Sequence, residues 1–398
     1  MSKTNSVEFL VGNENFDYTP NFSFDDNVVS FLNDFSIKLN SMKLIRDYPD
    51  LKTLSFWCRK NNIINLKRKF FDKENIRLGL GFIFHITPSN IPINFMYSLI
   101  FGLLTGNSNL VRVPSKNFDQ IKIICLCINK ILKKKKFSVL KKKITIVRYK
   151  KDDPEFTKKF SLLSDARLIW GGDKTINEIK KFPSKERCRD ITFPDRYSIS
   201  IINSDIFLKS NDLDKKKLIY NFYNDTFAVD QNACSSPHLL VWTGFKTKSA
   251  KGIFWNKLSH LVKSKYNIFE KASVEKFTML CDDILNNTNL KEHKVYNDVI
   301  YTQQICRPTK DLQNLRGKWG YFYEYNTNDI NKLFNYFNEK FQTITYFGFT
   351  KDYFKKILRR KDLNGVDRIV PVGQALDIGL IWDGYDLTKI LSRIIDLK

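Results

Sequence analysis

Between about residue 78 and residue 181, short β-branched runs alternate with stretches of helical spacing, and this alternation leaves few folds open to the chain. Strand-like segments fall at Leu78 to Ile86, Leu110 to Val113, Lys143 to Arg148 and Ala166 to Trp170. Helical ones fall at Ile93 to Thr105, Asp119 to Lys135, Pro154 to Leu163 and Thr175 to Lys181. Strands and helices in strict alternation predict a doubly wound α/β sheet that binds its ligand at the strand ends. Thr87-Pro88-Ser89-Asn90-Ile91-Pro92 must be a loop, because two prolines four positions apart forbid a regular helix at its centre. Gly106-Asn107 is a helix stop. The segment from Leu78 to Ile86 is expected to be a strand pair, and the aromatic, basic stretch from Val28 to Asn62 has helical spacing.

A chain of 398 residues, 42% of them apolar, has material for two cores of ordinary domain size. The longest apolar stretch, Ile91 to Leu104, is broken by Pro92, Asn94, Ser98 and Gly102, so no membrane span is expected. Met1 to Asp17 is acidic and polar and lacks the basic-then-apolar order of a targeting peptide. The net charge is +24, but the basic residues are spread widely, with dense runs at Lys133 to Lys136, Lys141 to Lys143 and Lys215 to Lys217. No nucleic-acid-binding signature accompanies them, so the charge is read as a surface that attracts acidic or phosphorylated small molecules.

Seven cysteines without a secretory signal point to reduced thiols in a cytoplasm. No pair has metal-ligand spacing and the four histidines form no cluster, so no metal site is expected. Cys58, Cys125, Cys127, Cys188, Cys281 and Cys306 read as packing residues. Cys234 differs. It stands in Asp230-Gln231-Asn232-Ala233-Cys234-Ser235-Ser236-Pro237, where small and polar neighbours leave room for a substrate and supply hydrogen-bonding groups. Gly171-Gly172, ahead of Asp173 and a helix, is either a plain strand-to-helix turn or a place where a phosphate approaches a helix N-terminus; it lacks a GxGxxG fingerprint.

Taken in order, Thr87 to Pro92, Gly106-Asn107, Leu110-Val111-Arg112-Val113-Pro114-Ser115, Ile169 to Gly172 and Asp230 to Pro237 resemble the aldehyde dehydrogenase superfamily, and within it the LuxC-type acyl-CoA reductases. Gln342-Thr343 and the stretch from Gly365 to Asp386 resemble that branch as well, whereas the region before about residue 75 carries little resemblance. The resemblance implies an aldehyde-dehydrogenase-like α/β fold, a Rossmann-type cofactor domain plus an α/β catalytic domain. The divisions expected are 1–200 for N-terminal helices and cofactor domain, 201–362 for the cysteine domain, and 363–398 for a segment packing back on the cofactor domain.

It further implies that a Cys234 thiolate attacks a thioester carbonyl and that the amide of Asn90, with the cysteine's own N–H, holds the oxyanion. Hydride from a nicotinamide then releases the aldehyde. Arg112 stands where the superfamily places a lysine near the adenosine ribose, and a cation there suits the 2′-phosphate of NADPH over NADH. Ser115, Gly171 and Gly172 complete the cofactor residues. The strand Arg189 to Ser198 lacks the glutamate with which oxidising relatives activate water, which favours reduction. No equivalent of the family's cofactor-ribose glutamate is evident between Cys306 and Tyr325, and Asp383 in Trp382-Asp383-Gly384 reads as a structural turn. The expected substrate is an acyl-CoA or acyl-carrier thioester. The expected partners are an acyl-protein synthetase and further copies of the chain, and the expected location is cytoplasmic. The competing readings are an aldehyde-oxidising dehydrogenase and a non-catalytic basic binding protein.

Overall fold

The β-branched runs of the first half gather into one sheet. In the computed structural model, which describes residues 7–72, 74–151, 153–359 and 363–398, the chain divides into a first unit, 1–194 with 378–398, and a second, 195–377. Met1 to Ser6, part of the segment read for targeting signals, lie outside the described residues. The first unit holds strands β1 (Glu8–Val11), β2 (Ile76–Gly79), β3 (Phe82–Ile86), β4 (Ser108–Arg112), β5 (Ile144–Arg148), β6 (Ala166–Trp170) and β7 (Arg189–Phe193). Its helices are α1 (Asp26–Asn40), α2 (Pro49–Trp57), α3 (Lys60–Phe70), α4 (Asn94–Leu104), α5 (Asp119–Leu132), α6 (Pro154–Leu163) and α7 (Asp173–Lys180).

Six of these strands lie in the order β1-β5-β4-β3-β6-β7, all parallel except β1, which runs antiparallel to β5. After the edge strand β1, the chain enters the centre at β3, winds outward through β4 to β5, returns beside β3 as β6 and winds out again to β7. That reversal between β3 and β6 is where doubly wound sheets take ligands. Strands β3 and β6 are buried along their whole length, as expected of a parallel sheet covered on both faces. Helix α4 is buried at all 11 positions, which explains why its sequence is apolar all round. It ends at Gly106, whose φ of +84° and approach to Asn21 O leave no room for a Cβ.

The expected strand pair at Leu78 to Ile86 is corrected. Strand β2 pairs antiparallel with the C-terminal strand Ser392–Ile395, whereas β3 enters the large sheet. The turn between them is held by Asn107, whose Oδ1 accepts from Leu80 N at 2.6 Å and Gly81 N at 3.1 Å. The helical stretch 28–62 becomes α1, α2 and the start of α3, joined by a short 3₁₀ turn at Lys43–Asp47.

The second unit holds β8 (Tyr197–Asn203), β9 (Pro237–Thr243), β10 (Leu290–Tyr296), β11 (Ile300–Ile305), β12 (Tyr321–Asn326), β13 (Phe341–Phe347) and β14 (Arg368–Pro371), with helices α8 (Ser204–Lys209), α9 (Asp212–Thr226), α10 (Thr247–Lys265) and α11 (Glu270–Asn286). The strand order is β10-β11-β12-β9-β8-β13-β14, parallel except for β10 against β11. Period-2 alternation gives the sheet two apolar faces. Ile199, Ile201, Leu239 and Val241 join one core. Ile202, Leu240 and Trp242 join another with Phe222 of α9 and Phe254 and Trp255 of α10.

The observed division differs from the expected boundaries at 200/201 and 362/363. All of β8 belongs to the second unit, and β14 stays there because it pairs with β13. Of the expected C-terminal segment only 378–398 joins the first unit. It is fastened by the β2 pairing and by Trp57 Nε1 donating to Ile378 O at 2.9 Å.

Candidate active site

The loop carrying Cys234 is fixed by its own unusual backbone. After α9 the chain makes a 3₁₀ turn at Phe227–Val229, then passes through Asp230 and Gln231 at φ +54° and +61°, left-handed conformations for residues with side chains. Gln231 holds that turn from inside: its amide donates to Pro237 O at 3.2 Å and Tyr321 O at 3.1 Å and accepts from Gly320 N at 3.1 Å. Tyr266 donates its hydroxyl to Asp230. Ser236 Oγ donates to Asp225 O at 2.7 Å. Ala233, Ser235 and Ser236 are consequently buried, while Cys234 is half-buried and reachable.

Three segments from distant parts of the sequence meet at one hydroxyl. Ser198 Oγ, at the start of β8, donates to Cys234 O at 2.6 Å and accepts from Thr343 N of β13 at 3.1 Å. Cys234 and Thr343 lie in segments on which the family resemblance rests, and Ser198 ends the stretch that lacks the oxidising relatives' glutamate. The thiol is positioned too: Cys234 Sγ donates to Asp195 Oδ1 at 3.5 Å. That same oxygen accepts from Arg316 Nη1 at 2.9 Å. Arg316 is held in turn through Nη2 on Arg196 O at 3.0 Å and Nε on Gln313 O at 3.1 Å.

The nearby imidazole has another task. His238 stacks on Tyr197, with Nδ1 at 3.0 Å from Gly317 O, and burial with the Arg316 cation nearby pushes its pKa down to about 3. It is neutral at working pH and serves packing. Asp225, at the end of α9, takes Gly373 N at 2.6 Å and Ala375 N at 2.9 Å, and burial pushes its carboxyl up to about 7. Gly373 must be glycine: its φ is +100° and a Cβ would lie 2.7 Å from Asn221 Cγ. Arg368 clasps the same loop through Ala375 O, Gln374 O and Asp377 O. These contacts lie within the family-like stretch from Gly365 onward. Asp383-Gly384 lies in the first unit and forms the two-residue turn of a small hairpin between the paired Trp382 and Tyr385, with φ of +46° and +75°.

The other residues singled out in the sequence belong to the first unit. Asn90 is exposed in the loop after β3, and Thr87 fastens that loop by donating N–H and Oγ1 to Arg112 O at 3.3 and 2.8 Å. Arg112 ends β4 with its guanidinium 4.8 Å from the Tyr149 ring centroid; Nη2 donates to Tyr149 O at 3.4 Å and Nε is buried without a hydrogen-bond partner. Burial lowers its pKa. Ser115 Oγ reaches the same Tyr149 O at 3.2 Å. Arg148, at the end of β5, also has a buried Nη2 without a partner. Gly171 follows β6, and Gly172 caps α7 with nothing within 4 Å of where a Cβ would stand.

Two arginines with unused donors and an open glycine at the C-terminal edge of a parallel sheet form a setting that fits an anionic dinucleotide. Glu324, the sole glutamate between Cys306 and Tyr325, is turned inward. It accepts from the indoles of Trp242 and Trp255 at 2.6 and 2.9 Å, so it serves the core.

Of the six cysteines read as packing residues, Cys58, Cys125 and Cys127 are buried, and burial raises all three thiols, the latter two to about 12. Cys188 and Cys281 are half-buried. Cys306 is exposed, which corrects the packing reading for that residue. Among the described residues no three metal-ligating side chains stand together, and no helix is long and apolar enough to cross a membrane. The sequence reading missed Asp195, Ser198, Arg316 and Asp225. The stretch from Arg189 to Ser198, expected as one strand, is β7, a link and the start of β8, and Asp195 lies in the link.

Known proteins share the family signature and the fold. The family described as Acyl-CoA reductase (LuxC) matches residues 47–265, more than half of the 398. No curated protein matches the chain. Among solved structures, aldehyde dehydrogenase 21 from Physcomitrella patens superposes with a TM-score of 0.65 at 10% identity, over 93% of this chain and 85% of that one. A lactaldehyde dehydrogenase gives 0.63 at 9% identity, over 92% and 85%. Bifunctional proline utilization A gives 0.62 at 11% identity over 90% of this chain, which spans 39% of that larger protein. At such identities the likeness is one of fold: an α/β architecture of the aldehyde dehydrogenase type.

Proposed function

The chain belongs to the LuxC acyl-CoA reductase family, an oxidoreductase family acting on acyl groups and aldehydes, and from that premise we propose that it reduces a fatty acyl thioester to the aldehyde through an acyl-Cys234 intermediate, with NADPH as reductant. The observation that carries this reading is the fixed, half-exposed Cys234, set by Ser198 on a loop of small residues. The donor is an acyl-CoA or an acyl group delivered by a carrier or a synthetase partner, and the location is cytoplasmic.

Cys234 forms the new thioester as the donor thiol departs. The amide of Asn90 carries the oxyanion role that the resemblance gives it. Arg112, Ser115, Gly171 and Gly172 would hold the dinucleotide, with Arg112 matched to a 2′-phosphate. When bound, the nicotinamide supplies the hydride that reduces the acyl group, and Cys234 is then regenerated as aldehyde leaves.

The Asp195 carboxylate beside the sulfur favours a second reading, aldehyde oxidation with water activated by that residue. Product analysis separates the two. With an acyl-CoA and NADPH the first reading expects aldehyde and free coenzyme A in equal amounts. Turnover of aldehyde with NADP⁺ and water to the free acid, without reduction of acyl-CoA, would overturn it.

A further inference from the structure

The oxygen of Asp195 that meets Cys234 Sγ is also the oxygen gripped by Arg316, at 3.5 and 2.9 Å. Arg316 spends its other donors on two backbone carbonyls, Arg196 O and Gln313 O, and Arg196 is anchored by Asp367 at 2.9 Å. The carboxylate is thus located from behind by a cation that is itself fixed, and it presents one shared oxygen to the thiol. Its side chain remains 55% exposed, so a proton taken from sulfur can be handed on. His238 offers no alternative, being stacked on Tyr197 with its Nδ1 on Gly317 O.

We propose that Asp195 is the proton relay of Cys234, with Arg316 as its positioning residue. The proposal rests on the acyl-cysteine reading and adds the residue that moves the proton. As the sulfur–carbon bond to the acyl group forms, the Asp195 carboxylate takes the thiol proton. As the bond from that carbon to the donor's sulfur breaks, the same proton passes to the departing thiolate, which leaves as free thiol. Nothing is oxidised or reduced in this step, and Asp195 returns to a carboxylate. A relay of this kind is worth about 10²–10⁴ in rate.

The test is rapid-quench acylation by an acyl-CoA without cofactor, read at the Cys234 peptide by mass spectrometry, beside alkylation of the same cysteine by iodoacetamide. Asp195→Asn is expected to slow acylation by about 10²–10⁴ near pH 7 and alkylation less, because both reactions take the thiol proton but only acylation must also protonate its leaving group. Acylation through a carboxylate base is flat over about pH 6–8, whereas attack by free thiolate climbs up to tenfold per unit. The wild type should show the first profile and Asp195→Asn the second. Arg316→Ala should lose the flat profile and Arg316→Lys should restore it in part. Wild-type acylation rates in Asp195→Asn would overturn the relay and leave the acyl-cysteine intermediate standing. Equal loss of acylation and alkylation with the pH profiles unchanged would reduce Asp195 to a loop support. A wild type that is alkylated but acylated by no acyl-CoA would overturn the functional reading and the relay together.

Discussion

Ser198 donates to the carbonyl of Cys234 at 2.6 Å and accepts from Thr343 N–H at 3.1 Å, so a single hydroxyl joins the starts of two parallel strands to the cysteine loop. Ser198→Ala leaves a carbonyl and an amide without their partner in a buried place, a loss of about 1–3 kcal/mol. Urea denaturation should show a lowered midpoint with an unchanged slope. Acylation of Cys234 should slow as well, because the loop loses its tether to β8. An unchanged midpoint would mean that Gln231 and Asp225 suffice to hold the loop.

Asp225 gives the protein a pH dependence of definite sign. Its carboxyl is pushed up to about 7 in the folded chain, against about 3.9 for an unburied aspartate. Between those values the folded chain keeps a proton that the unfolded chain has released, so this group's contribution is present below about pH 4 and is lost as pH rises through about 7. Asp225→Asn cannot ionise and should lose that part of the slope. Urea midpoints at about pH 5 and pH 7.5 check this. The wild type should fall further between the two than the variant, and equal falls would contradict the assignment.

Asn90→Ala tests the oxyanion role. Removal of one preorganised donor costs about 10²–10³ in rate, so single-turnover acylation should slow by that factor with little change in NADPH affinity. A loss confined to cofactor binding would remove Asn90 from the chemistry.

Arg112→Ala tests cofactor choice. One charge-assisted contact to a 2′-phosphate is worth about 1.5–3 kcal/mol, roughly 10- to 150-fold in affinity. Direct titration should show NADPH weakened by that amount and NADH little changed. Equal weakening would leave Arg112 as support for Thr87 and Tyr149, which it touches already.

The doubly wound order of the first unit was legible because its strands are continuous β-branched runs with glycine and proline at their joints. The stop at Gly106 was legible for the same local reason. Cys234 stood out through its small neighbours. What surrounds it did not, because Asp195 and Arg316 lie 39 and 121 positions from their partners and are brought together by the strand order β9-β8-β13 and the loop before β12. An aspartate before a strand reads locally as a turn residue, and nothing adjacent to it announces a sulfur. The same holds for Leu78 to Ile86, where two strand signals were correct but their partners, Ser392–Ile395 and β4 with β6, are remote in sequence. Glu324 shows the converse: a glutamate between Cys306 and Tyr325 is claimed by two tryptophans of the core.

The central claim is a covalent acyl group on Cys234, and intact-mass spectrometry of the protein after incubation with a set of acyl-CoAs, without cofactor, tests it most directly. The wild type should gain the mass of one acyl group, located to the Cys234 peptide and discharged on adding NADPH. Cys234→Ser, nearly isosteric and still folded, should gain none. Acylation that persists in Cys234→Ser, or that maps to exposed Cys306 instead, would contradict the account.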